Sequence, residues 1–118
     1  MSEAVSPELL RGSLDLLVLS VLASGPQYGY SIGQRLRDTS GGMVALQAGT
    51  LYPLLHRLET DRLIRSKWDD STGRRRKWYE LTAAGRKRLH RQARQWHEYV
   101  ECLSRILAPA LEAGPEPA

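Results

Sequence analysis

Leu51, Leu54, Leu55 and Leu58 fall at positions i, i+3, i+4 and i+7. That spacing draws one leucine stripe along a helix over residues 47–62. At about 100° per residue, the opposite side carries Pro53, His56 and Thr60, flanked by Tyr52 and Arg57. One face can be held to a core while the other offers a ring, a cation and hydrogen-bond donors. Pro53 leaves the start of this helix open. It begins near Thr50 with Pro53 in the first turn, or near Ala48 with a mild irregularity, since Gly49 has no side chain to clash with the proline ring.

Two helices are predicted before it. Leu14, Leu17, Val18, Val21 and Leu22 form a broad stripe that Leu16, Leu19 and Ala23 widen, so the first helix is a central core element. Ser13 is its expected N-cap, with Asp15 in the first turn, and Gly25-Pro26 ends it. Tyr28, Ile32 and Leu36 stand four apart and predict a second helix over 29–39. Gly33 within it is expected to admit a close helix contact. Ser40-Gly41-Gly42 then turns the chain.

After residue 62 the period changes. Residues 64–68 and 77–81 are rich in Trp, Tyr and Ile and predict two short strands. Asp69, Asp70, Ser71, Thr72 and Gly73 form the turn between them, and Arg74, Arg75, Arg76 and Lys77 follow. A two-faced helix followed at once by a basic hairpin is the outline of a winged helix-turn-helix. Thr82 then caps a last helix with apolar residues at Leu89, Ala93, Trp96, Val100, Leu103 and Leu107. These steps of four and three make a heptad seam, which calls for a second copy of the chain. From Pro109 onward three prolines and no period predict a disordered tail, and residues 1–8 are expected to fray.

Charge sharpens this outline. The net charge is +4, but residues 62–94 hold twelve of the seventeen Lys and Arg and only three of the thirteen acids. A concentrated positive field on an otherwise acidic chain is the footprint of a polyanion binder. The longest apolar run, 14–23, is interrupted by Asp15 and Ser20, so no membrane span and no signal peptide are expected. The single cysteine, Cys102, excludes an internal disulfide framework and agrees with a cytoplasmic location. His90 and His97 lack partners at ligand spacing, so no metal site is expected, and no catalytic constellation or cofactor site stands out. Trp96, in the seam, packs as core or lines a flat-walled cavity for an aromatic molecule.

Three stretches in this order, GPQYGYSIGQRL, GTLYPLLHRLE and GRRRKWYELTAAGRKRL, resemble the PadR family of bacterial transcriptional regulators. The most specific pieces are Gly49-Thr50-Leu51-Tyr52-Pro53 with Leu58-Glu59, and Tyr79, Leu81, Thr82 and Gly85 after the wing. The resemblance implies a homodimer that binds double-stranded operator DNA, usually as a repressor, and releases it on a small-molecule or stress signal. Its short C-terminal part is similar to the compact subgroup, which makes a small aromatic effector a candidate partner. Two departures stand out: Ala48 replaces a common proline, and Asp61-Arg62 replaces an acid–glycine pair, so a non-glycine must end the third helix.

The expected fold is therefore mainly α with a small β-hairpin: a winged helix-turn-helix over 9–82, a dimerisation helix over 83–108 and a tail over 109–118. Tyr28, Thr50, Tyr52, His56, Arg57, Arg74, Arg75, Arg76 and Lys77 are the candidate DNA contacts. Leu89, Ala93, Trp96, Val100, Leu103 and Leu107 are the candidate dimer seam, with Trp96 the candidate ligand contact. The alternative is a winged-helix module that binds protein without specific DNA recognition.

Overall fold

The computed structural model describes residues 5–6 and 10–116. A 3₁₀ turn, Arg11–Ser13, leads into α1, Leu14–Leu22. Then come β1 (Gln27–Tyr28), α2 (Gly29–Thr39), α3 (Ala48–Thr60), β2 (Ile64–Asp69), β3 (Arg76–Leu81) and α4 (Ala83–Ala113). The strands form one antiparallel sheet in the order β1-β3-β2, so the expected hairpin gains a short third strand. Most of the expected fraying segment lies outside the described residues. Val5, however, donates its N–H to the Met43 carbonyl at 2.7 Å and packs on the core.

The stripes converge on one core. Val18, Leu19 and Leu22 of α1 meet Ile32 and Leu36 of α2, all four leucines of α3, and Ile64, Tyr79 and Leu81 of the sheet. Burying side chains of this size stabilises the fold by about 1.5–3 kcal/mol each. The helix-turn-helix is closed by two successive Schellman turns. At the end of α2, Gly42 N–H bonds Arg37 C=O at 2.8 Å and Gly41 N–H bonds Asp38 C=O at 3.3 Å. At the end of α3, Leu63 N–H bonds Leu58 C=O and Arg62 N–H bonds Glu59 C=O, both at 3.0 Å. Leu58 and Leu63 are both buried, as this motif favours. Arg62 occupies its left-handed position with φ 62°, so the residue that replaces glycine adopts the glycine conformation.

The start of α4 is fixed to that same exit. Thr82 Oγ1 accepts from Gly85 N–H at 3.0 Å, as expected of a cap, and donates to Arg62 C=O at 2.7 Å. Gly85 is buried against the Leu63 carbonyl, and a Cβ there would stand 2.0 Å from that oxygen, far closer than van der Waals contact allows.

Three local expectations are corrected and one open choice is resolved. Ser13 does not cap α1; the chain enters helically through the 3₁₀ turn, and Ser13 Oγ bonds back to Leu10 C=O at 3.1 Å. Of the two starts open to α3, Ala48 is the one adopted, with Thr50 and Leu51 N–H both bonded to Gln47 C=O. The glycine pressed by a neighbouring helix is Gly29, where a Cβ would meet Tyr52 Cε1 at 2.9 Å; at Gly33 the nearest atom, Leu51 Cδ2, is an ordinary 3.5 Å away. Finally, α4 runs through Pro109 to Ala113. Helix formers on both sides outweigh one missing N–H, and Gly114, at φ 78°, ends the helix.

Candidate nucleic-acid interface

The four leucines seal the inner face of α3, while Thr50, Tyr52, Pro53, His56, Arg57 and Thr60 are exposed. They do not all hang free. Tyr52 leans its ring on Gly29, at the start of α2, and stays 45% exposed. The Arg57 guanidinium pairs with the Asp15 carboxylate of α1, so part of its charge is already answered within the chain. Thr50 and His56 are exposed on the same face.

The wing divides its cations by strand alternation. Successive side chains of β3 point to opposite faces, so neighbours in sequence part company. On the outer face the Arg76 guanidinium lies 4.1 Å from the centre of the Tyr28 ring. On the inner face Lys77 Nζ lies 5.5 Å from the Trp68 ring, 5.9 Å from Tyr79 and 3.8 Å from Glu59 Oε1. Arg75, in the tip, stacks on Trp68 at 4.3 Å, and Arg74 stands exposed beside it. Rings under cations hold side chains that would otherwise sweep freely, each at roughly 0.5–1 kcal/mol when exposed. Trp68 is 55% exposed, a platform for two cations rather than core.

The turn is built on Asp69 and Gly73. Asp69 Oδ1 accepts from Ser71 N–H at 2.9 Å, Gly73 N–H bonds Asp70 C=O at 3.0 Å, and Gly73 takes φ 76°. Asp69 Oδ2 accepts from the Tyr28 hydroxyl at 2.5 Å. That bond, with the Ser71 contacts, lowers the Asp69 carboxyl to about 2, and the same bond raises the Tyr28 phenol. Asp69 is therefore ionised at any physiological pH. At the other end of the sheet Arg65 Nε donates to Glu80 Oε1 at 2.6 Å and lowers that carboxyl. Burial raises the Tyr79 phenol.

The basic run continues onto α4. Arg86, Lys87, Arg91 and Arg94 line a groove of about 510 Å³ along that helix. The seam itself is divided. Leu89 packs on the core of its own chain. Trp96 lies over Gly12 of the 3₁₀ turn, where a Cβ would be 3.7 Å from its Cζ2, and meets Tyr99 edge-on with ring centres 5.8 Å apart. Ala93, Val100 and Leu107 are exposed, with Leu103 half-buried, and Tyr99, Ile106 and Leu111 add further exposed apolar surface. Among the described residues no helix is long and apolar enough to cross a membrane.

Sequence reasoning did not assign the parts of Glu59, Trp68 and Asp69 in this face. Glu59 carried a signal, standing beside Leu58 at the end of the stripe; its reach to two strands carried none.

Comparison with known proteins agrees with this architecture. The family model described as the transcriptional regulator PadR-like family matches residues 18–91. An uncharacterised protein of Lysinibacillus sphaericus is 30% identical over 84% of this chain and 92% of its own length. A transcriptional regulator of Mycobacterium tuberculosis is 36% identical over 77% of this chain and 82% of its own. The structure is similar to that of a PadR family transcriptional regulator from Eggerthella lenta, with TM-score 0.74, 39% identity and coverage of 85% and 86% of the two chains. By fold, by matched residues and by relatives, the chain belongs to the PadR-like family of transcriptional regulators.

Proposed function

We propose that the chain is a sequence-specific DNA-binding repressor that acts as a homodimer in the cytoplasm, by binding and not by catalysis. The observation that carries this reading is the pairing of an exposed α3 face with a wing whose cations are held on aromatic rings. Such a helix fits the major groove, and such a wing fits the flanking backbone or minor groove. Thr50, Tyr52, His56 and Arg57 are the proposed groove or phosphate contacts. Arg74, Arg75, Arg76 and Lys77 are the proposed wing contacts.

Two half-sites need two linked readers. Ala93, Trp96, Val100, Leu103 and Leu107 form the proposed interface, with Leu89 at its base. A flat aromatic effector stacked beside the two Trp96 rings would shift the long helices relative to each other and change the spacing of the two α3 helices. It releases DNA only as far as it binds one spacing better than the other.

Selection of bound sequences from random duplexes, repeated at two salt concentrations, tests the reading. Enrichment of a palindrome with steep salt dependence is expected. Absence of both would favour the protein-interaction alternative.

A further inference from the structure

Three observations meet at Tyr28. Its backbone closes β1 and caps α2, so it belongs to the helix-turn-helix. Its hydroxyl donates to Asp69, the last residue of β2. Its ring lies under the guanidinium of Arg76, the first residue of β3 and the register partner of Asp69. One side chain therefore touches both strands where they enter the tip.

The position matters because of where the ladder stops. β1 pairs with β3 only at Gln27–Tyr79 and Tyr28–Trp78. Beyond Trp78 the wing is a two-stranded ribbon, which is marginal by itself and free to twist. The Tyr28 side chain reaches past the last backbone pair and ties that ribbon to the helices. Its own polar capacity is used in doing so, because the hydroxyl proton goes to Asp69 and the ring is covered by Arg76.

We propose that Tyr28 is a positioning residue, whose bond to Asp69 and ring under Arg76 set the angle at which the wing meets DNA relative to α3. This deepens the DNA-binding reading and rests on it. Asp69, an acid in a phosphate-facing wing, then has a reason to be there.

The test uses full-length protein carrying Tyr28→Phe, Asp69→Ala, or both. In free Tyr28→Phe, the Asp69 carboxyl should titrate nearer its ordinary value of about 3.9, and amides of residues 70–75 should exchange faster. Duplex affinity should fall roughly 3- to 10-fold, the range set by one net hydrogen bond, equally for all sequences. Removal of an acid alone strengthens phosphate binding. That gain is the same in both backgrounds of a double-mutant cycle, so a latch appears as losses that fail to add. Additive losses, an altered sequence preference in Tyr28→Phe, or an unmoved Asp69 titration would each overturn the proposal. If the parent binds no duplex, the DNA-binding reading fails and takes this one with it. If the parent binds and Tyr28→Phe changes nothing, only the positioning role falls.

Discussion

The Glu59 carboxylate of α3 accepts a hydrogen bond from the Ser66 hydroxyl of β2 at 2.5 Å. Its other oxygen lies 3.8 Å from Lys77 Nζ on β3. The exposed α3 helix and the wing are thereby tied through one side chain. Glu59→Ala should cost about 1–2 kcal/mol, the range for a charge-assisted bond plus its orphaned partner. A thermal melt should show Tm lower by roughly 5–10 °C. Glu59→Gln keeps an acceptor for Ser66 and should lose less than half as much. Equal losses would assign the effect to the charge on Lys77.

Two glycines make opposite predictions. Gly85 presses on the Leu63 carbonyl, so Gly85→Ala must move the start of α4 away from the α3 exit. Roughly 3 kcal/mol or more of destabilisation is expected, as for other forced backbone shifts. Gly33 lies inside α2 with ordinary space around it. Gly33→Ala should be neutral or stabilise by up to about 1 kcal/mol through helix propensity. Urea unfolding of both variants checks the pair.

Most of the core was legible because side-chain period is a one-dimensional record of burial. Leu51, Leu54, Leu55 and Leu58 are all buried, and α2 and the two long strands lie within two residues of where their patterns put them. What was not legible depends on contacts between distant residues. β1 is two residues long and exists because β3 offers it an edge. Arg57 is a candidate DNA contact by its place on the helix, and nothing local shows that Asp15, 42 positions earlier, pairs with it. Arg86 and Arg76 share one basic run in sequence, yet Arg86 stands on α4 and helps to lower the Glu80 carboxyl, while Arg76 covers the Tyr28 ring. The Thr82 cap was readable because capping is local.

Arg62 sits where glycine is at ease. Arg62→Gly should relieve roughly 1 kcal/mol of left-handed strain, less the extra entropy that glycine brings to the unfolded chain. A small net gain in Tm is expected. A loss would mean that the Arg62 side chain contributes contacts worth more than the strain.

On the proposed interface, Arg74→Ala with Arg75→Ala should weaken all duplexes alike and lower the magnitude of the salt slope by about 1–2, one for each lost phosphate contact. His56→Ala should instead change which sequences are preferred, if the ring reaches base edges. Titrations against selected and scrambled duplexes at several salt concentrations separate the two behaviours. An unchanged slope in the double variant would remove the wing tip from the contact.

The seam offers the most exposed prediction. Val100 is 50% and Leu107 44% exposed in the single chain, on a helix that reaches well beyond the winged domain. Leu103 lies between them, half-buried but not among the residues packed on the core, so a charge there enters the proposed interface with little effect on that core. Leu103→Glu should give a monomer by light scattering, and palindromic DNA should lose its advantage over a single half-site. A stable dimer after this change would place the interface elsewhere. Trp96→Ala addresses the effector. Planar aromatic dyes should quench the parent's tryptophan fluorescence and fail to bind the variant, while DNA affinity is kept. Because Trp96 also covers Gly12 of its own chain, the variant must first be shown to remain dimeric. Dye binding equal to the parent's, or loss of the dimer, would make Trp96 a packing residue and move the effector site away from the seam.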